Sequence, residues 1–164
     1  MIIAGRVDRS EKYWGAIREG LCEDVRKGRV LLRDHFIPDE ETEVYFKAAD
    51  VLVLPYKHIY QSGVLFLGQS FGLPVLAADV GCLKLEVIEG KTGFIFRPED
   101  PVDMAKAIER YFASELFRDL DNRRKEIRDW PTARHSWDVV VQITVAVYAS
   151  LLSGSPELER RRAG

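Results

Sequence analysis

The chain has 164 residues, of which 46% are hydrophobic and 30% charged, with a formal net charge of -2 at pH 7. That length and composition suit one soluble globular domain with a core of its own, and they exclude a disordered or fibrous class. The near-neutral balance gives no bulk attraction to nucleic acid or anionic lipid. Two cysteines and three scattered histidines offer neither a disulfide framework nor the spacing of a zinc site.

"MIIAG" reads as a short buried strand at the very start of the chain. Residues 11 to 27 repeat Tyr13, Trp14, Ile17, Leu21 and Val25 at helical intervals, and Gly28 ends the pattern. "RVLLRDHF" predicts a strand. "IPDEETEVYFKAAD" predicts a helix with Pro38 near its start, acidic residues in its first turn, and Val44, Tyr45 and Ala48 facing inward. "VLVLP" is a continuous apolar run, as expected of a strand covered on both faces. "GVLFLGQSF" then predicts a compact helix ended by Gly72 and Pro74, and "PVLAA" another buried strand. "KLEVIEG" gives a short helix and "TGFIF" a last strand. "PVDMAKAIERYFAS" predicts a helix with Val102, Ala105, Ile108, Tyr111 and Phe112 on its inner face. "ELFRDLDNRRKEIRDW" reads as one charged amphipathic helix. "HSWDVVVQITVAVYASLL" places Trp137, Val140, Val141, Thr144, Tyr148 and Leu151 on one helical side.

Strands alternate with helices almost throughout. The fold class expected is therefore α/β, a Rossmann-like doubly wound parallel sheet with extra C-terminal helices. Residues 1–133 are expected to form the domain, 134–152 a C-terminal helix packed on it, and 153–164 a flexible tail. The first ten residues lack a signal-like pattern, and Val139–Leu152 falls short of a membrane span. A cytoplasmic location follows as an expectation, with Cys22 and Cys82 as buried thiols.

In open parallel sheets, ligands sit where a strand hands over to a helix. "QSGV" lies at such a point. Ser62 can cap the following helix, and Gly63 adds no side chain to obstruct an approach to the first amides, so a phosphate cradle is the chemistry these residues suit. A plain Ser-Gly helix start with no ligand is the competing reading. "GKTG" at Gly90–Gly93 is not a phosphate-binding P-loop, because the glycine required before Lys91 is Leu85.

"DVLVLPYKHIYQSGVLFLGQSFGLPVLAADVGCLKLEVIEGKTGFIFRPEDPVDMAKAI" resembles the C-terminal half of group 1 retaining glycosyltransferases with the GT-B fold. The resemblance extends upstream through "FIPDEETEVYFKAAD" and covers roughly Met1 to Phe112. It implies that this region holds a nucleotide-sugar, UDP- or GDP-linked, with Ser62, Gly63 and Val64 by the diphosphate and Phe36 and Ile37 near the base. Gln61 and Tyr60 join them as donor-loop residues. It implies no metal and no cofactor beyond that substrate. It also implies a partner, an N-terminal acceptor domain or separate chain, without which no transfer occurs; the usual first strand-helix unit is missing as well. The catalytic residues remain unassigned, and the donor base, sugar and acceptor are not encoded legibly. A full-length enzyme would be cytoplasmic, with the inner membrane face as an option, and would serve polysaccharide or lipid-linked glycan assembly as a hexosyltransferase. The family's two glutamates around the donor loop are Ile59 and Leu67 here.

A non-catalytic nucleotide-binding or interaction module derived from the same fold is the alternative. It would self-associate through exposed apolar surface. His58 can touch the sugar or stand in solvent. Asp79 can bind a sugar hydroxyl or cap a helix. Gln69 is expected as a solvated helix residue or loop contact, Tyr56 as packing and His135 as a structural cap.

Overall fold

The computed structural model describes residues 1–7, 11–134 and 136–152; His135 and the 153–164 tail lie outside the described residues. The chain forms two compact units, Met1–Ala49 and a second beginning at Asp50.

The first unit runs β1 (Ile2–Ala4), α1 (Glu11–Arg26), β2 (Leu31–Arg33) and α2 (Asp39–Ala48). The two strands pair in parallel, with Ile2 beside Leu31 and Ala4 beside Arg33. Backbone bonds extend the pairing at both ends: Leu31 N–H donates to Met1 O at 2.9 Å and Gly5 N–H to Arg33 O at 3.0 Å. Among its described hydrophobic residues only Val30 is buried. In α2 the expected inner face is corrected: Val44 and Ala48 are exposed, and the half-buried side chains are Thr42, Tyr45 and Phe46. Cys22 on α1 is exposed rather than buried, and neither cysteine is paired.

The second unit has β3 (Leu52–Leu54), α3 (Gly63–Ser70), β4 (Val75–Ala78), α4 (Leu83–Glu86) and β5 (Gly93–Phe96). Then follow α5 (Pro101–Ala113), α6 (Glu115–Arg118), α7 (Leu120–Arg134) and α8 (Trp137–Leu152). Its strands stand in the order β3-β4-β5, all parallel. Every residue of β4 is buried. Because alternate strand residues point to opposite faces, Leu76, Ala78 and Phe96 pack with Ala107, Tyr111, Leu116, Leu120 and Ile127 of α5–α7. Leu54, Val75 and Ala77 pack on the other side with Leu65 of α3 and Leu83 of α4. Both faces of the sheet are covered, as the apolar strand runs require.

Three details differ from expectation. The inner stripe of α5 is Met104, Ala107, Ile108 and Tyr111, while Val102, Ala105 and Phe112 face out. Two apolar registers compete along this helix, and the one carrying Met104, Ile108 and Tyr111 fills the face of the sheet. The charged segment after it is two helices, because Asp119 breaks the run between α6 and α7. The sequence sets the last helix against the domain, yet α8 carries no buried residue. Taken through α7 and α8, Leu120–Leu152 contains one stretch long and apolar enough to cross a membrane by length and composition.

Gly72 ends α3 in the left-handed region, φ 71°. A Cβ there would also meet the Arg124 carbonyl of α7 at 2.7 Å, so the glycine serves both the turn and the close approach of α7.

Tyr111 ties α5 to the start of the unit. It is fully buried, its O–H donates to the Asp50 carbonyl at 2.7 Å, and its ring meets Phe117 edge-on at 5.5 Å. Burial, reinforced by the charge of Asp50, pushes the phenol above its usual range. Tyr111→Phe removes that donor and leaves the carbonyl unsatisfied. Urea denaturation of the full chain is expected to show a loss of about 1–2 kcal/mol.

Candidate functional site

The carboxyl ends of β3, β4 and β5 carry the loops that could hold a ligand. The loop after β3 ends at Ser62, whose extended backbone (φ -128°, ψ 114°) makes it the N-cap of α3. Its hydroxyl accepts the Leu65 N–H at 3.3 Å and lies 3.2 Å from the Tyr56 hydroxyl. Ser62 is 3% exposed, so its side chain is committed to the protein.

The amides before Leu65 differ. Helix geometry gives the first-turn N–H groups no intrahelical acceptor, and Gly63 and Val64 are both exposed. A Cβ built at Gly63 would meet nothing within 4 Å. Neither crowding nor a left-handed backbone demands glycine there. What glycine does is leave the helix end, with the positive pole of its dipole, open to an approaching anion.

The loop is held by the turn after β4. Gly81 adopts φ 54°, and a Cβ on it would overlap the carbonyl oxygens of Ile59 and Tyr60. Cys82 N–H donates to Tyr60 O at 2.8 Å. The Tyr60 backbone is thus pinned while its ring stands 80% exposed. Gln61 and His58 are exposed beside it. Phe36, 68% exposed, and Ile37, half-buried, belong to the first unit, where they follow β2. The structure therefore brings Tyr60, Gln61, Ser62, Gly63 and Val64 together on one loop and helix end.

Charged groups at the strand ends are engaged with one another. Lys57 pairs with Glu99 at 3.1 Å, linking the loops after β3 and β5, and Lys84 pairs with Asp79 at 3.1 Å. Asp79 is therefore an ion-pair partner, while the N-cap of α4 is Cys82 without a side-chain bond. Arg97 reaches Asp100 at 2.9 Å and Asp103 at 3.5 Å. Its backbone N–H also donates to Asp103 Oδ2 at 2.7 Å, and this bond above all holds the Asp103 carboxyl below its ordinary value. Glu99 takes a left-handed φ of 55°, unusual for a residue other than glycine. Sequence reasoning did not single out Lys57 and Glu99; their ion pair and the positive φ of Glu99 are invisible in a sequence.

Gln69 is corrected. It is fully buried, not solvated, and its Nε2 donates to the Glu86 carbonyl at 2.9 Å, tying α3 to the end of α4. Among the described residues, no group of three His, Cys, Asp or Glu gathers as a metal set.

A parallel sheet with helices on both faces and an open helix N-terminus at its strand ends defines the class: a Rossmann-like α/β domain. The family model for "Glycosyl transferases group 1" matches residues 1–114. The chain belongs to that family, and its fold is that of the Rossmann-like half of the GT-B architecture. It is similar to the D-inositol 3-phosphate glycosyltransferase of Corynebacterium urealyticum, 33% identical over 150 residues, covering 89% of this chain and 34% of that one. The same-named enzyme of Streptomyces avermitilis is 32% identical over 130 residues, covering 77% and 26%. Among solved structures, sucrose-phosphate synthase from Thermosynechococcus elongatus superposes with a TM-score of 0.70 at 26% identity, over 94% of this chain and 38% of that one. Anabaena HepE in complex with UDP superposes at 0.71 with 19% identity, over 93% and 40%. The chain thus spans between a quarter and about a third of the length of these curated relatives.

Two outcomes test this geometry. Gly81→Ala forces a strained backbone and a clash with the donor loop, and is expected to destabilise the second unit by about 1–3 kcal/mol. Increased amide exchange at Ile59–Ser62 would locate the loss in the loop. Asp103 is the second case. Its folded pKa lies below the ordinary 3.8, so its contribution is present above that value and fades as pH falls through the folded pKa. Asp103→Asn should lower the melting temperature at neutral pH. The gap to the wild type should narrow below about pH 4.

Proposed function

We propose that this chain is the donor-binding half of a retaining glycosyltransferase that takes a sugar from a UDP- or GDP-linked donor and passes it to a glycan or lipid-linked acceptor. The observation that carries the reading is the open start of α3, where Ser62 spends its hydroxyl on Leu65 and the next two residues, Gly63 and Val64, are exposed. Those amides would bind the donor diphosphate and stabilise the charge it gains as the bond to the anomeric carbon breaks. Preorganised peptide dipoles supply that stabilisation without a metal ion, and no cofactor is needed beyond the donor itself.

Gln61 and Tyr60, on the clamped loop, would contact the sugar or the diphosphate. Phe36 and Ile37 would lie by the base. No side chain of this chain is assigned as acid, base or nucleophile. The acceptor, and the face of the cleft that presents its hydroxyl, would come from an N-terminal acceptor domain or a partner chain, so the chain by itself is expected to transfer nothing. Two curated relatives carry the name D-inositol 3-phosphate glycosyltransferase, which supports a phosphorylated polyol as the acceptor.

Calorimetric titration with UDP and with GDP tests this reading. One of the two is expected to bind, with affinity lost in Gly63→Val while the melting temperature stays within about 2 °C, since the site has room for the new side chain. Absence of heat with both nucleotides, or unchanged affinity in Gly63→Val, would remove the site.

A further inference from the structure

The turn after β5 holds a backbone conformation that its side chain does not favour. Glu99, at φ 55°, is the one residue other than glycine with a positive φ among the described residues. A Cβ makes the left-handed region costly, whereas glycine enters it freely. The neighbours of Glu99 explain the bend. On one side the Arg97 N–H donates to Asp103 Oδ2 at 2.7 Å. On the other, Asp100 caps α5 by accepting the Asp103 N–H at 2.9 Å, and Pro101 begins the helix. Glu99 is thus bent between two fixed points. Those contacts account for the φ but not for the residue, since glycine would meet the same geometry without strain. The glutamate side chain therefore supplies something that offsets the cost.

What it supplies is a reach across the sheet. Glu99 lies three residues past Phe96, the last of β5, and Lys57 three past Leu54, the last of β3. Lys57 Nζ and Glu99 Oε2 meet at 3.1 Å. β4 stands between those two strands. Neighbouring strands are about 4.8 Å apart, so the pair joins loops whose strands lie about 10 Å from each other. It does so at the carboxyl end of the sheet, where an anion at the start of α3 would also sit.

The bridge acts on the loop that leads into α3. The later part of that loop is held by backbone contacts, with Cys82 N–H on Tyr60 O and Gly81 against the Ile59 and Tyr60 carbonyls. Its earlier part is tied by Lys57 to the turn after β5. We infer that Lys57 and Glu99 are positioning residues: their ion pair straps the loop after β3 to the turn after β5 and so helps to set the backbone that enters Gly63 and Val64. The strain at Glu99 is the cost of that strap. Its bearing on nucleotide affinity rests on the donor reading above; the strap itself does not. Two side chains paired in solvent contribute little to global stability. Their effect is local, on a loop whose peptide groups must be aimed through the backbone.

Glu99→Gly in the full chain is the test, because it keeps the left-handed turn and removes the carboxylate. The melting temperature is expected to hold or rise. Amide exchange at Tyr56–Gln61 should quicken, and affinity for whichever of UDP and GDP the wild type binds should fall. Each change is expected to be about two- to fivefold, the range of one exposed ion pair. A residue that only supports the fold would not part stability from loop order in this way. Lys57→Glu should loosen the same loop, and Lys57→Glu combined with Glu99→Lys should restore both exchange and affinity. Unchanged exchange in Glu99→Gly, or a reversed pair that fails to restore it, would overturn the strap. A loosened loop with unchanged affinity would overturn the positioning role. A wild type that binds neither nucleotide would remove the donor reading instead, and the exchange measurements would still decide the strap.

Discussion

The position of the donor loop depends on a backbone contact between two turns. The loop after β3 has no secondary structure of its own, and the short β3 strand fixes only its beginning. What fixes its far end is the turn after β4, where Gly81 lies directly against the Ile59 and Tyr60 carbonyls and the Cys82 amide bonds to Tyr60. That turn is in turn anchored by β4, which is buried along its whole length between two covered faces. The start of α3 therefore inherits its place from a strand that is buried along its whole length. Gln69 adds a second tie from α3 to the end of α4. A binding site made of peptide groups needs such support, because amides can be aimed only by aiming the backbone that bears them.

The polar groups near that helix end divide by direction. Ser62 and Tyr56 satisfy each other and the Leu65 amide on the inside. The cations at the strand ends are engaged by carboxylates: Lys57 by Glu99, Lys84 by Asp79, and Arg97 by Asp100 and Asp103. These pairs are exposed and individually weak contributors to stability. Each pair sets a cation beside a carboxylate, so that side-chain charge is balanced locally at these strand ends. The Glu99 backbone, held in a left-handed conformation at this edge, fits a loop shaped by more than local preference.

Much of this was legible in the residues. Continuous apolar runs at Val51–Leu54 and Val75–Ala78 read as strands covered on both sides, because no alternation of polar residues marks a wet face. Gly72 with Pro74, and Pro101 after the Asp100 cap, bounded their helices correctly because each acts through local backbone geometry. Ser62 was legible as a cap for the same reason. What escaped depended on distant partners. Val102 and Phe112 compete with Met104 and Ile108 for the inside of α5, and only the shape of the sheet face decides between them. Gln69 looked like a surface residue because nothing in its neighbours announces a carbonyl seventeen positions away. The role of Gly81 was equally hidden, since the loop it touches lies some twenty residues earlier.

The two units differ in how completely they satisfy their own strands. In the first, two three-residue strands carry Ile2 and Leu31 side by side, 38% and 41% exposed, and Val30 is its buried hydrophobic side chain. A two-stranded sheet of that length is marginal alone. In the second, three strands close a core on each face, and that core reaches from Leu54 to Ile127. The anion-facing helix end belongs to this second unit. Phe36 and Ile37 belong to the first. The start of α3 therefore rests on the better-supported scaffold, whose sheet is covered on both faces.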